Sequence, residues 1–475
     1  MALNLDEENG EKNAPSDPFE GLKKHFNDIL GTSGSKLGFV FPSAGYDDNR
    51  SDDDDTSAKE ESEFIDRIKN FNMKPREIRN FLDRFVIKQA EAKKVLSVAV
   101  CDHYNHVRRC LLDDNALKME YSKQNVLILG PTGVGKTYLI KNIAKLIGVP
   151  FVKVDATKFS ETGYVGSDVD DMIRDLIKAA NGNITLAEYG IVFIDEVDKI
   201  AMVSDAGGRD VSGRGVQINL LKLMEDSDVS AYSQTDMLSQ LRAAMSFANG
   251  KKDHKQSIST KHILFIASGA FDKLSDIVKS RIGAKSIGFS VKIAKNDVDE
   301  TYEYLQNAST SDFIKYGFEP EFIGRLPVRV ACEALNSDDL KNILTSSEGS
   351  ILKQYVEDFN GYGIKFTADD GALSTIAKLA ASEKTGARGL LTVLEKLLRD
   401  FKFELPSTVV KSVKISEKTV SEPGKALAEL MKGKSTATEA KTRRTKDTPT
   451  SSAGGRKNIS VKNHEFGGQE IVQIQ

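Results

Sequence analysis

Asn125-Val-Leu-Ile-Leu129-Gly130-Pro-Thr-Gly-Val-Gly135-Lys136-Thr137 predicts a buried strand that runs directly into a phosphate-binding loop. The apolar run at its start is typical of a parallel strand covered on both faces. The rest has the spacing G-x-x-x-x-G-K-T, and the next helix is marked on one face by Leu139, Ile140, Ile143, Ala144 and Ile147. In this order, backbone N–H groups and a helix N-terminus cradle phosphates.

The loop predicts the phosphate half of an ATP site. Lys136 is expected to reach the β- and γ-phosphates, and the Thr137 hydroxyl to ligate Mg²⁺. Main-chain contacts are expected from the other loop residues, Pro131, Thr132, Gly133, Val134 and Gly135. The alternative is a glycine-rich turn with a chance lysine, and the strand–loop–helix context favours the phosphate site.

A second segment, Ile191-Val-Phe-Ile-Asp195-Glu196, ends an apolar strand in two carboxylates. The end of such a strand lies at the carboxyl edge of the sheet, where ligands bind. Asp195 is expected to hold Mg²⁺, directly or through water, and Glu196 to orient and deprotonate the attacking water. The two segments together predict an ATP hydrolase that is not itself a protease.

Composition narrows the class of protein. The chain has 475 residues, 40% hydrophobic and 28% charged, with a net charge of -3, which gives no argument for nucleic-acid binding. Its three cysteines form no C-x-x-C pair, so no zinc is expected. The acidic N-terminus is neither a signal nor a transit peptide, and no apolar run spans a bilayer. We therefore predict a cytoplasmic protein without membrane partners.

Strand and helix patterns alternate along the chain and predict an α/β fold with a parallel sheet between helices. We predict a flexible N-terminal arm at residues 1–63, a large ATPase domain at 64–332, a small α-rich domain at 333–421 and a disordered tail at 422–475. The alternative for the arm is a docking site for partners. The alternative for the tail is a nucleic-acid-binding segment, because of the basic cluster at 441–446.

Over roughly residues 75 to 420, the chain resembles the ClpX family of AAA+ ATPases, which unfold proteins for the Clp protease, and more distantly HslU. The resemblance implies an AAA+ P-loop fold: an αβα large domain followed by a smaller α-rich domain. Leu82-Asp-Arg-Phe-Val86-Ile87-Lys88-Gln89 is similar to the segment that lines the adenine pocket, so Val86 and Ile87 are expected against the base. Lys88 stands where the family usually has glycine.

The resemblance also implies a pore that grips protein substrates. Gly163-Tyr164-Val165-Gly166 is similar to the loop that faces the centre of a hexameric ring, where an aromatic–aliphatic pair holds any unfolded or tagged peptide chain. Residues 209–217 resemble the second pore loop, with Arg214 where the family usually has an acid.

Two arginines are assigned by resemblance. Glu321-Phe-Ile-Gly-Arg325 is similar to the box that holds the arginine finger, so Arg325 is expected to reach the nucleotide of the neighbouring subunit. Lys384-Thr-Gly-Ala-Arg388 is similar to the sensor motif of the small domain, so Arg388 is expected to contact the nucleotide of its own subunit. A finger acting across subunits implies a ring, and the resemblance implies that this ring is a homohexamer.

The partner is implied by one short motif, Ile287-Gly288-Phe289, which resembles the loop that docks into clefts on a ClpP-like peptidase. The alternative for this motif is core packing. The function predicted is an ATP-driven unfoldase and translocase that feeds this peptidase. A stand-alone remodelling chaperone and a nucleic-acid-directed AAA+ motor are the alternatives. The N-terminal domain with four cysteines that is usual in the family is not expected here. We therefore do not infer that substrates are delivered through such a domain.

Overall fold

We describe the fold from a computed structural model of the chain, in which the described residues are 51–117, 119, 121–159, 168–201, 211–231, 257–285, 297–345 and 348–432. The chain divides into two units, residues 1–59 and 60–475. The described residues of the first unit, 51–59, begin the helix α1, Ser51–Lys69. All that follows concerns the second unit.

Nine strands occur in the described ranges. In chain order they are β1 Val126–Leu129, β2 Phe151–Asp155, β3 Ile191–Asp195, β4 Asp228–Ser230, β5 Ser257–Ser259, β6 Leu264–Gly269, β7 Val328–Ala331, β8 Lys365–Ala368 and β9 Ser412–Ile415. Five of them form one parallel sheet in the order β2-β3-β6-β1-β7. This confirms the predicted parallel sheet. The short pairs β4–β5 and β8–β9 are antiparallel and parallel, respectively.

Helices cover both faces of this sheet and build the small domain. After α1 they are α2 Pro75–Phe85, α3 Ala90–Leu112, α4 Asp114–Leu117, α5 Lys136–Ile147, α6 Asp171–Ala179, α7 Ile184–Ala187, α8 Val211–Met224, α9 Leu274–Lys285, α10 Asp297–Gln306, α11 Thr310–Tyr316, α12 Pro320–Gly324, α13 Ser337–Thr345, α14 Ile351–Gly361, α15 Asp370–Ser382, α16 Ala387–Glu404 and α17 Glu417–Ser421.

Alternate residues of each central strand point to opposite faces of the sheet and enter two separate cores. Leu127 and Val192 pack in one core, with α6 and α8, whereas Ile128 and Phe193 pack in the other, with α3 and α5. Both faces are therefore covered, which explains why these strands are apolar throughout. The small domain has a third core of its own, built on α13 to α16.

Helical structure extends into the predicted N-terminal arm and into the predicted C-terminal tail. The helix α1 begins at Ser51, before the predicted end of the arm at residue 63, and its Phe64 and Ile68 are buried in the large-domain core. At the other end, residues 423–432 are helical and Leu427 packs into the small-domain core. Composition indicated disorder at both places because a few apolar anchors stand among many polar residues.

Three histidines lie together where α3 passes the starts of the strands, at the sheet edge away from the loop after β1. His103 Nε2 donates to the carbonyl oxygen of His262 at 3.0 Å, and the His106 ring stacks on Tyr121 with ring centroids 3.5 Å apart. Burial is the main cause that lowers the pKa of His103 to about 3 and that of His262 to about 4. These rings stay neutral at physiological pH.

We expect the large domain to lose stability as the pH falls below 6.5. The unfolded state binds protons on these histidines from that pH downward, and the folded state binds them only near pH 3 to 4. Between pH 7 and 5, His103 and His262 together then lose about 4 kcal/mol of unfolding free energy. Urea unfolding at both pH values measures this loss. In His262→Gln about half of the difference should disappear, and an unchanged pH dependence in that variant would contradict the assignment.

None of the helices in the described ranges is both long and apolar enough to cross a membrane. No group of three or more histidine, cysteine, aspartate or glutamate side chains among the described residues is placed to hold a metal ion.

Candidate functional site

The phosphate-binding loop connects β1 to α5, as predicted. Gly133 has a φ of +73°, and a Cβ there would come within 2.1 Å of the carbonyl oxygen of Thr385 in the small domain. Gly135, which begins α5, has a φ of +99°. Only glycine adopts these conformations without strain, so the loop can keep its amide groups turned toward one concave surface.

Lys136 is buried in the loop that it belongs to. Its ammonium group donates hydrogen bonds to the carbonyl oxygens of Gly130 and Pro131, the second at 3.0 Å. Burial lowers the pKa of Lys136 from its ordinary value, with partial compensation from nearby carboxylates such as Asp195. The ammonium group therefore lies inside the loop, against carbonyl oxygens of the loop itself.

The two predicted carboxylates follow β3 at the same edge of the sheet. Asp195 Oδ1 accepts a hydrogen bond from Ser268 Oγ at 2.6 Å, and Oδ2 lies 2.8 Å from Lys153 Nζ. Burial alone would raise the pKa of Asp195, but the bonds from Lys153 and Ser268 outweigh it and hold the pKa below its ordinary value. Glu196 is exposed, with a left-handed φ of 56° that turns the chain at the end of the strand.

One cavity of about 430 Å³ joins these groups to the small domain. The large domain contributes Thr132, Gly133, Gly135, Lys136, Thr137, Tyr138, Asp195, Glu196, Asp198, Lys199, Gly269, Ala270 and Asp272, and the small domain contributes Ile351, Ala387, Arg388 and Leu391. Of the predicted site residues, Lys136, Thr137, Asp195, Glu196 and Arg388 thus line one space. The structure therefore places these five residues around one cavity, and their roles stay predictions.

Direct contacts tie the phosphate loop and the adenine segment to the small domain. The amide of Ala387 donates to the carbonyl oxygen of Gly133 at 2.9 Å. The Gln89 side chain donates to the carbonyl of Glu333 at 2.7 Å and accepts from its amide at 2.8 Å. These contacts therefore join the small domain both to the phosphate loop and to the segment that contains Gln89.

Lys88, the departure from the family pattern, keeps the turn that a glycine would make. Its φ is +62°, in the left-handed region. Its ammonium group donates to the carbonyl of Ala334 at 2.9 Å and pairs with Asp339 at 3.2 Å, where the small domain begins. These contacts offset the backbone strain and link the turn to the small domain.

The structure gives less direct support for Val86 and Ile87, the two predicted adenine-pocket residues. Val86 is buried and would contact a Cβ at Gly135 at 3.8 Å, so it lies beside the phosphate loop. Ile87 is half-buried. Neither residue is among those that line the cavity. Their role against a base stays a prediction.

Arg325 lies outside the cavity of its own subunit. Its guanidinium is paired with Glu225 at 2.5 Å, and Asn125 Nδ2 donates to its carbonyl oxygen at 3.1 Å. The side chain is half-exposed. This placement agrees with an arginine that serves another subunit, although the role itself stays a prediction.

The residues present fit a Mg²⁺–nucleotide. Lys136 supplies a cation, the glycine turns leave room for phosphates beside the backbone, and Arg388 approaches from the other domain. Mg²⁺ is usually bound through one or two carboxylates together with substrate phosphates. Thr137 and Asp195 would supply the protein ligands, so a cluster of three carboxylates is not required.

Comparison with known proteins agrees with this geometry. The family model of the AAA domain (Cdc48 subfamily) matches residues 121–329, and that of the C-terminal, D2-small domain of ClpB protein matches residues 335–408. The ATP-dependent Clp protease ATP-binding subunit ClpX of Treponema denticola is 42% identical over 338 residues, which are 70% of this chain and 77% of that protein. This chain belongs to the ClpX family. The ClpX of Bacteroides thetaiotaomicron is 41% identical over 348 residues, 72% of this chain and 80% of its own length.

Membership in the ClpX family makes the chain an AAA+ ATPase. The predicted pore residues Tyr164 and Val165 and the predicted docking residues Ile287, Gly288 and Phe289 lie outside the described residues. Residues 211–217 of the predicted second pore loop are helical, and Gln217 is buried with its amide donating to Ile200 at 2.9 Å. Val216 and Gln217 therefore serve packing, whereas Arg214 is exposed.

Sequence reasoning missed Lys153 and Ser268, which contact Asp195 from the neighbouring strands. A signal was present for each. Lys153 is a lone charge within the strand Phe151–Asp155, and Ser268 comes near the carboxyl end of β6. Both follow the rule that ligand-binding groups gather where parallel strands end.

Proposed function

We propose that this protein is an ATP-driven unfoldase and translocase that passes unfolded chains to a ClpP-like peptidase. The observation that carries the proposal is the two-domain cavity, where Glu196 and Lys136 of the large domain face Arg388 of the small domain. A change in the bound nucleotide would then change the position of the small domain relative to the large domain. The names of its relatives, ATP-binding subunits of the Clp protease, support the same role.

In the proposed reaction, Lys136 and the loop amides bind and orient the β- and γ-phosphates. Glu196 accepts a proton from the attacking water, which an exposed carboxylate at this edge can reach. Mg²⁺, held by Thr137 and Asp195, supplies charge neutralisation at the phosphates. Arg388 senses the nucleotide from the small domain.

A ring completes the site in this proposal. Arg325 lies outside its own cavity and is half-exposed, so it can serve the nucleotide of an adjacent subunit. Family resemblance supports a homohexamer acting in the cytoplasm on unfolded or tagged proteins. Tyr164 and Val165 would grip the polypeptide in the central pore, and domain movement would pull it.

The proposal is tested by unfolding a tagged, stable fluorescent protein with the purified full-length chain. We expect native fluorescence to fall with ATP, to persist with a non-hydrolysable analogue, and to fall irreversibly when ClpP-type rings are added. A preparation that hydrolyses ATP readily yet leaves folded clients intact, with every adaptor and peptidase tried, would contradict it.

Deleting Ile287, Gly288 and Phe289 is expected to abolish degradation with ClpP-type rings and to preserve both ATP hydrolysis and unfolding. The family resemblance assigns these three residues to docking on the peptidase and not to the nucleotide site, so their loss should spare hydrolysis. Replacing the same three residues by Ala-Gly-Ala keeps the loop length and serves as the matched variant. Degradation that survives both changes contradicts the docking role, and unfolding with no effect of any peptidase on the wild type indicates a stand-alone remodeller.

A further inference from the structure

Lys153 occupies a position beside the nucleotide site to which the proposed function gives no role. It lies on β2, next to β3, with Lys153 in register with Phe193 and Asp155 with Asp195. Its ammonium group reaches along the sheet to Asp195 Oδ2 at 2.8 Å. The Lys153 side chain is 41% exposed, whereas that of Asp195 is 15% exposed. A long, half-exposed lysine thus covers a mostly buried carboxylate.

Every oxygen of the Asp195 carboxylate accepts from a protein donor. Oδ1 accepts from Ser268 Oγ at 2.6 Å and from the Glu196 amide at 3.1 Å, and Oδ2 pairs with Lys153. The two donors to Oδ1 are neutral, and they are fixed to β6 and to the backbone. Lys153 differs because it carries a full charge on a flexible stem that can withdraw into solvent.

We propose that Lys153 is a resident counter-cation of Asp195 that competes with Mg²⁺ for this carboxylate. An ammonium group and a divalent ion on one carboxylate repel each other, so metal-assisted nucleotide binding requires Lys153 to move away. Lys153 is a positioning residue in this inference, and it sets the Mg²⁺ concentration at which the site fills. The inference rests on the proposed nucleotide site and adds a competing cation to it.

The size of the effect follows from the exposure of the ion pair. Because Lys153 is partly solvated, breaking the pair changes the apparent Mg²⁺ affinity by about fivefold. Lys153→Met removes the charge and keeps the length of the side chain. Lys153→Arg keeps the charge. Lys158→Met is the matched control, because Lys158 is an exposed lysine just after β2 that does not line the cavity.

The test is an equilibrium titration of Mg²⁺ against the full-length protein with a fixed concentration of a fluorescent ADP analogue, read by anisotropy and independent of turnover. We expect the half-saturating Mg²⁺ concentration to fall about fivefold in Lys153→Met and to stay near the wild-type value in Lys153→Arg and Lys158→Met. The three variants should bind the analogue equally well at saturating Mg²⁺.

Failure of this inference is separable from failure of the proposed function. If Lys153→Met requires as much Mg²⁺ as Lys158→Met, or more, then competition at Asp195 is excluded while the nucleotide site stands. A purely structural role for the pair would lower the unfolding midpoint of Lys153→Met and leave the Mg²⁺ requirement unchanged, which also overturns the inference. A wild-type protein that does not bind the analogue at saturating Mg²⁺ contradicts the nucleotide site itself.

Discussion

Glu196→Gln is expected to stop ATP turnover while leaving nucleotide binding intact. Glutamine fills the same space at the end of β3 but accepts no proton, so the attacking water loses its base. General-base removal of this kind lowers rates by about 10²- to 10⁴-fold. Lys136, Thr137 and Asp195 are untouched, so affinity for ATP should be retained. Steady-state ATPase rates, together with binding of a fluorescent nucleotide, measure the two effects separately.

Asp155→Asn provides a matched control for this change. Asp155 ends the neighbouring strand β2 and does not line the cavity. Its carboxylate caps the turn Ala156–Lys158, and asparagine caps equally well, so the variant should hydrolyse ATP normally. Ordinary turnover in Glu196→Gln, or equal losses in both variants, would remove Glu196 from the role of base.

Arg325→Ala is expected to lower the ATPase rate of the assembled ring by about 10³-fold or more, because a finger arginine stabilises charge in the transition state. The loss of the exposed pair with Glu225 has little effect on folding by itself, since such pairs contribute less than about 1 kcal/mol. The informative experiment measures the ATPase activity of rings assembled from two variants. Arg325→Ala and Glu196→Gln subunits, each inactive alone, should regain activity together, because about a quarter of random interfaces then combine an intact Glu196 with an intact Arg325.

The control is a mixture of Arg388→Ala subunits with Glu196→Gln subunits. Arg388 lines the cavity of its own subunit together with Glu196, so each site in that mixture lacks one essential group. No recovery is expected there. Recovery in both mixtures, or in neither, would contradict an arginine that acts between subunits.

The sheet and the nucleotide loop could be predicted because their signals are local. Val126–Leu129 and Ile191–Ile194 are apolar throughout, since both faces of the sheet are covered, and the loop spacing between Gly130 and Lys136 is specific by itself. Asp195 then lies at the same edge of the sheet as the loop, because the strands are parallel and their carboxyl ends share that edge.

The contacts that could not be predicted depend on which strands are neighbours in the sheet. Ser268 and Lys153 contact Asp195 because the sheet order places β6 and β2 on either side of β3, and no local pattern encodes that order. The pair Arg325–Glu225 joins residues 100 positions apart in the same way. Lys88 shows a different reason: its left-handed turn is held by long-range contacts with Ala334 and Asp339 that override its own conformational preference.

The hydrogen bond from Ala387 to Gly133 places the first turn of α16 against the phosphate loop. This helix has 18 residues and so extends about 27 Å. A tilt of about 10° at its anchored end would swing the far end by about 5 Å. If the proposed nucleotide binds at the phosphate loop, this helix would act as a lever whose fixed end lies there, and loss of one phosphate would be magnified into a stroke about as long as a full helical turn.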